Sequence, residues 1–137
     1  MTYGQIKTDT SFFNTASPSM RLTPNNASSK LESAPKSRGI QVACPSGQSV
    51  SVAAYIYKSK TGDGAAYNGN QPRLVQRANP AMGQNSDVVL ATYSAGTGSW
   101  NQLSGNTSTA TDDGCWEIVV DCDGTAGWVN VDDLQAA

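Results

Sequence analysis

The run Ser49-Val50-Ser51-Val52-Ala53-Ala54-Tyr55-Ile56-Tyr57-Lys58 decides how the rest of the chain is read. Val50, Val52, Ala54 and Ile56 fall on one side of an extended backbone, and Ser51, Ala53, Tyr55 and Tyr57 on the other. Successive side chains of a strand point to opposite faces. Period-two alternation built from β-branched and aromatic residues therefore marks a strand with one face on a core. Downstream, Thr61 to Gln71 is a loop rich in Gly, Asn and Asp that carries Tyr67, and Arg73 to Arg77 resumes as a strand. Asn79 to Gly83 reads as a loop. Asp87 to Tyr93 is apolar on both faces, the pattern of a central strand. Gly96 and Gly98 break it, and Ser99 to Leu103 forms a short strand that ends at Ser104-Gly105-Asn106.

After the turn Asp112-Asp113-Gly114 comes a second strong strand. Trp116, Ile118, Val120 and Cys122 share one face, with Cys115, Glu117, Val119 and Asp121 on the other. Asp123-Gly124 is a hairpin signal leading into the last strand, Gly127 to Leu134. Upstream, Met20 to Thr23, Lys30 to Ser33 and Arg38 to Ala43 are strand candidates, Ile40 and Val42 sharing a face. Residues 1–17 carry no clear periodicity and read as an arm; the only two Phe, Phe12 and Phe13, sit in it side by side. No helical period of ten or more residues occurs. Eight or so short strands with regular turn signals predict an all-β sandwich or barrel over residues 18–137, and a chain this long can close a two-sheet antiparallel core.

Bulk properties narrow the role. A chain of 137 residues suits one domain. Charged residues make up only 15%, so the surface is built from uncharged polar side chains. Net charge is −2 and the nine Lys and Arg are scattered, which argues against nucleic acid, although folding could gather Lys58, Lys60, Arg73 and Arg77. The absence of histidine removes the commonest general base and transition-metal ligand. No apolar run reaches the roughly 20 residues that span a bilayer. Met1 to Phe13 lacks the charged and apolar regions of a secretory signal. Cys44, Cys115 and Cys122 are an odd set, best read as small buried hydrophobes; pairing of Cys44 with another stays open.

The segments Gly98-Ser99-Trp100-Asn101-Gln102-Leu103-Ser104-Gly105, Thr111-Asp112-Asp113-Gly114, Trp116-Glu117-Ile118-Val119-Val120-Asp121 and Gly127-Trp128-Val129-Asn130-Val131-Asp132-Asp133-Leu134 follow one another in a familiar order. Together with Ser19-Met20-Arg21-Leu22 and the strand Val52 to Lys58, they resemble the galactose-binding-like jelly roll of carbohydrate-binding modules. The likeness runs from about Ser19 to Leu134. The arrangement also resembles jelly-roll domains of tailed-phage virion proteins. The resemblance implies a jelly-roll sandwich behind an irregular N-terminal arm. It also implies a structural calcium between the early strands and the last Asp, with Asp132 or Asp133 as a ligand on opposite faces of the last strand.

Sugar sites need an aromatic platform ringed by amides and carboxylates, and Tyr55, Tyr57, Tyr67, Tyr93 and Trp100 are the candidates; the competing reading makes them core or interface. Trp116 reads as core. The carboxylates lie in turns and at strand ends, and no nucleophile elbow, phosphate loop or dinucleotide fingerprint occurs, so no enzyme is expected. The leading expectation is a virion structural protein: a decoration or cement subunit on the outer surface of a phage-type capsid. It would be assembled in the host cytoplasm, would be homo-oligomeric within the particle, and would dock on the major capsid protein or other virion subunits through Phe12 and Phe13. The alternative is a carbohydrate-binding module with glycan partners. Neither reading involves nucleic acid or membrane.

Overall fold

The computed structural model describes residues 5–9 as backbone, residue 14, residues 19–23 and residues 39–136. Among the described residues nine strands form two antiparallel sheets. They are β1 (Gln5–Asp9), β2 (Ser19–Thr23), β3 (Ile40–Cys44), β4 (Ser51–Lys58), β5 (Arg73–Gln76), β6 (Val88–Thr92), β7 (Trp100–Asn106), β8 (Gly114–Asp121) and β9 (Val129–Ala136). The five-stranded sheet runs β1-β2-β9-β4-β7 and the four-stranded sheet runs β3-β8-β5-β6. This is a jelly-roll β-sandwich, as the sequence pattern predicts.

The core lies where the alternating faces meet. β4 contributes Val52, Ala54 and Ile56 from the first sheet, and β8 contributes Trp116, Ile118 and Val120 from the second; all six are buried. Leu22, Leu74, Val129 and Val131 complete the layer. Each large apolar side chain taken from water adds about 1.5–3 kcal/mol. Cys44 and Cys122 are buried and behave as small hydrophobes, whereas Cys115 is exposed; none is disulfide-bonded.

Several local expectations need correction. The Asp123-Gly124 turn does not make a hairpin, because β8 and β9 belong to different sheets. Gly124 takes φ +106° as such a turn requires, but the link crosses the sandwich and is held by Asn68, whose side-chain oxygen accepts from the Thr125 and Ala126 amides. β6 is an edge strand rather than a central one. Its second apolar face is exposed, Val89 retaining 45% of its surface. β7 continues through Gly105 to Asn106, held along its length by β4. A Cβ at Gly105 would come within 2.6 Å of the Leu90 carbonyl oxygen, so glycine lets β6 close against β7 across the open side of the sandwich. Within the segment expected to be an irregular arm, Gln5–Asp9 pairs with β2 in register from Gln5↔Thr23 to Asp9↔Ser19. Phe12, Phe13 and the strand candidate Lys30 to Ser33 lie outside the described residues.

One irregularity matters for the exposed face. Ala53 pairs with Gln135 but Tyr55 pairs with Asp132, so two residues of β9, Asp133 and Leu134, stand opposite Ala54. Asp133 adopts φ +51°, a left-handed conformation that Asp tolerates better than most residues. This is a β-bulge, and it inverts the alternation of the strand end. Leu134 turns in to pack on the core and Gln135 turns out. Asp132 and Asp133, expected on opposite faces, instead both reach Asn14. Its backbone amide donates to Asp132 Oδ2 at 2.8 Å and its side-chain amide to Asp133 Oδ2 at 3.1 Å.

Candidate functional site

The outward positions of the five-stranded sheet are built by the same alternation that fills the core. Cross-strand register sets Trp100 of β7 beside Tyr57 of β4, Tyr57 beside Asn130 of β9, and Asn130 beside Arg21 of β2. Strands lie about 4.8 Å apart, so this row crosses about 14 Å of surface. Two residues along the strands, about 7 Å away, Gln102, Tyr55 and Asp132 form a second row. Trp128, just before β9, adds a fourth aromatic at the Arg21 end. The guanidinium carbon stands 3.7 Å from the Trp128 ring centroid, a close cation–π stack. Asn130 donates from Nδ2 to Ser19 Oγ at 2.9 Å. The outcome is one face bearing aromatics, amides, a guanidinium and a carboxylate.

The five aromatic candidates divide by position. Trp100 and Tyr55 are half-buried on this face and keep accessible surface. Tyr57 is only 6% exposed and backs Trp100, the ring centroids 5.5 Å apart and the planes tilted by 37°. Its hydroxyl donates to Asp63 Oδ2 at 2.5 Å, and the Lys60 amide donates to the same oxygen at 3.0 Å. Burial, then the bond to the Asp63 carboxylate, pushes the Tyr57 hydroxyl up to about 12. Desolvation pulls the Asp63 carboxyl upward, but the Tyr57 and Lys60 hydrogen bonds outweigh it and leave the group below its ordinary range.

Tyr67 and Tyr93 sit elsewhere, in the core cluster. The Tyr67 hydroxyl donates to the Asn70 carbonyl and accepts from the Asp123 amide, locking the β4–β5 loop to the β8–β9 loop; burial raises its pKa. The Tyr93 hydroxyl accepts from Asn101 Nδ2 and donates to the Ile56 carbonyl. Lys58 is 7% exposed, donates to Gln71 Oε1 at 2.7 Å, and has its pKa lowered by burial. Arg73 pairs with Asp121 at 3.0 Å and Arg77 with Asp87 at 3.7 Å, so the candidate basic group of Lys58, Lys60, Arg73 and Arg77 is mostly occupied by partners.

Calcium takes six to eight oxygens. Asp132 and Asp133 are drawn together, but onto Asn14. Among the described residues no three or more Asp, Glu or Cys side chains converge as a metal cluster. The described residues thus offer two carboxylates and no cage. The face also holds Arg21, Trp128, Asn130 and Gln102, which were not sequence candidates. The signal for Arg21 was present: it alternates with Leu22, and Leu22 is core.

No family model matches the sequence, and no curated protein matches it. Solved structures do match. Its fold is shared with family 22 carbohydrate-binding modules. One neighbour is the CBM22-1 and GH10 part of Clostridium thermocellum endo-1,4-beta-D-xylanase 10B in complex with xylohexaose, with TM-score 0.67 and 12% identity over 98% of this chain. This chain spans 24% of that one. Another is the CBM22-2 xylan-binding domain of Paenibacillus barcinonensis Xyn10C, with TM-score 0.65 and 11% identity over 98% of this chain and 86% of that one. The CBM22-1 xylan-binding domain of the same protein matches with TM-score 0.63 and 12% identity over 97% and 80%. Several of these neighbours are binding domains rather than catalytic ones. Nothing in the comparisons or in the described residues supports the capsid reading. Among the described residues no helix is long and apolar enough to cross a membrane.

Proposed function

We propose that this chain is a non-catalytic glycan-binding module, and that the outer face of its five-stranded sheet takes a β-linked polysaccharide lying across the strands. The observation that carries the reading is that Trp100 and Tyr55 keep accessible surface on one face, with Gln102 beside them and Arg21 at the far end of the row, while Tyr57 and Asn130 lie buried within it. A pyranose ring presents C–H groups on its faces and hydroxyls at its edge. Trp100 and Tyr55 supply flat apolar surface for the first, and Gln102 and Arg21 supply hydrogen-bonding groups for the second. Binding sites commonly combine aromatic lining with a few placed polar groups. Xylan binding by the structural neighbours supports a β-1,4-linked chain as the first ligand to try.

The face is poorly suited to hydrolysis. Glycosidases place two carboxyl groups on opposite sides of the scissile bond, about 5–9.5 Å apart. Here Asp132 and Asp133 are neighbours that share Asn14.

Titration calorimetry of the whole chain with soluble xylan and xylohexaose tests the proposal. Trp100→Ala should weaken binding about tenfold or more while leaving the melting temperature within a few degrees, because Trp100 lies outside the core cluster. Equal affinity of the variant and the parent would overturn the assignment of this face.

A further inference from the structure

Below the aromatic rows, the outer face sinks into a depression of about 370 Å³. That volume is at the lower end of the range for small-molecule sites. Register explains the hollow. Under Tyr55 and Gln102 the next outward pair is Ala53 and Ser104, and the next is Ser51 and Asn106. Short side chains replace aromatic ones, so the surface drops. Val52, Gln102, Gln135 and Ala136 join Ser51, Ala53 and Ser104 in the lining, which contains no charged side chain.

The β9 bulge is what makes this hollow polar. With regular alternation after Asn130 and Asp132, Leu134 would point outward beside Ala53. The extra residue Asp133 turns Leu134 inward and presents Gln135 in its place. A left-handed non-glycine residue costs about 1–3 kcal/mol and persists only where its surroundings hold it. Among the described residues, Gln102, Ser104 and Gln135 have no side-chain hydrogen-bond partner, so two amides and a hydroxyl face the hollow with their bonding capacity free.

We propose that this depression is a branch subsite, which takes a neutral sugar substituent projecting from the polysaccharide that lies over Trp100 and Tyr55. The inference rests on the glycan-binding reading above. It follows from the offset. The main row crosses the strands through Trp100, Tyr57, Asn130 and Arg21, whereas the hollow lies two to three steps along β4 and β7, about 13–20 Å from Trp100. A substituent on a sugar stacked near Tyr55 points along the strands into it. Amide and hydroxyl groups suit the hydroxyls of a pentose or hexose. A uronic acid would bring a carboxylate into a lining with no cation.

The test uses calorimetry with three probes: linear xylohexaose, the same backbone carrying one arabinofuranosyl branch, and the same backbone carrying one glucuronosyl branch. The arabinosylated probe should bind about five- to tenfold more tightly than the linear one, the gain expected of one or two net hydrogen bonds. The glucuronosyl probe should show no gain. Ser104→Phe, which fills the hollow from exposed edge strand β7, should bring the arabinosylated and linear affinities together while changing the linear one less than about twofold. Gln135→Ala, which fills nothing, should remove part of the same gain. If the arabinosylated probe binds no better than the linear one, there is no branch subsite. If Ser104→Phe weakens both probes equally, the hollow belongs to the main chain's path and the proposal fails. Loss of both through Trp100→Ala, with the branch preference intact in the parent, leaves the two readings standing together. A parent that binds none of the probes sinks the glycan-binding reading itself, and the branch subsite with it.

Discussion

At the residue scale the bond from Tyr57 to Asp63 is the most consequential single contact behind the binding face. It ties the Thr61–Asp63 turn to β4 and stiffens the aromatic that supports Trp100. Its effect on stability has a definite pH signature. The Tyr57 hydroxyl ionises near 10 in the unfolded chain and near 12 in the folded one. Below 10 both states hold the proton and the contribution is whole. Between 10 and about 12 the unfolded chain releases the proton first, so stability falls as pH rises. Asp63 acts at the other end: its depressed folded pKa makes its contribution whole above the ordinary carboxylate range and lost as pH drops through the folded value. The difference in urea midpoint between the parent and Tyr57→Phe should therefore be constant from pH 6 to 9, shrink between 10 and 12, and shrink again in acid. A difference that ignores pH would show that the bond contributes nothing. Residues of this kind divide by how far their partners lie along the chain. Tyr55 and Tyr57 were legible as sharing the face opposite Val52 and Ile56 because alternation is local. Tyr67 and Tyr93 were not, since their burial depends on Asp123 and on the Ile56 carbonyl, 56 and 37 residues away.

At the element scale the strands themselves were legible and their neighbours were not. The faces of β4 and β8 follow directly from period two, and Trp116 is core as the pattern requires. Sheet membership is a different matter. Asp123-Gly124 has the local chemistry of a hairpin turn, yet the chain uses it to pass from one sheet to the other, because β8 and β9 each find better partners elsewhere. The β9 bulge was likewise hidden, for it is visible only against the partner strand. Gly105 shows what such cross-sheet contacts demand. It is the penultimate residue of β7, inside a strand where glycine is disfavoured, because the Leu90 carbonyl of the opposite sheet approaches it. Gly105→Val would improve strand propensity and still destabilise, by about 1–3 kcal/mol, since backbone cannot retreat as a flexible side chain can. Chemical denaturation decides this: a midpoint equal to or above that of the parent would mean that β6 and β7 are not in contact.

At the scale of the whole molecule, the open matter is what the N-terminal segment does for the sandwich. Among the described residues β1 is an edge strand paired with β2, and Asn14 bonds two carboxylates of β9. Among the described residues, the side chains of the core cluster and those packed against it lie at position 20 or beyond. The described part of the segment therefore closes the β2 edge and anchors β9. Exposed edges invite pairing with other chains. Deleting residues 1–13 should leave one cooperative thermal transition, lowered by about 2–8 °C for each kcal/mol of lost edge pairing, and should raise the tendency to self-associate through β2. Glycan affinity should change little, because Trp100, Tyr55, Asn130 and Arg21 are all retained. Asn14→Ala in the full chain tests the anchoring contact separately and should lower the transition alone, without self-association. A deletion that unfolds the chain would show that β1 is integral to the sandwich. A deletion that abolishes binding while the fold persists would move the site from the β4–β7–β9 face toward β1 and the Arg21 end of the sheet.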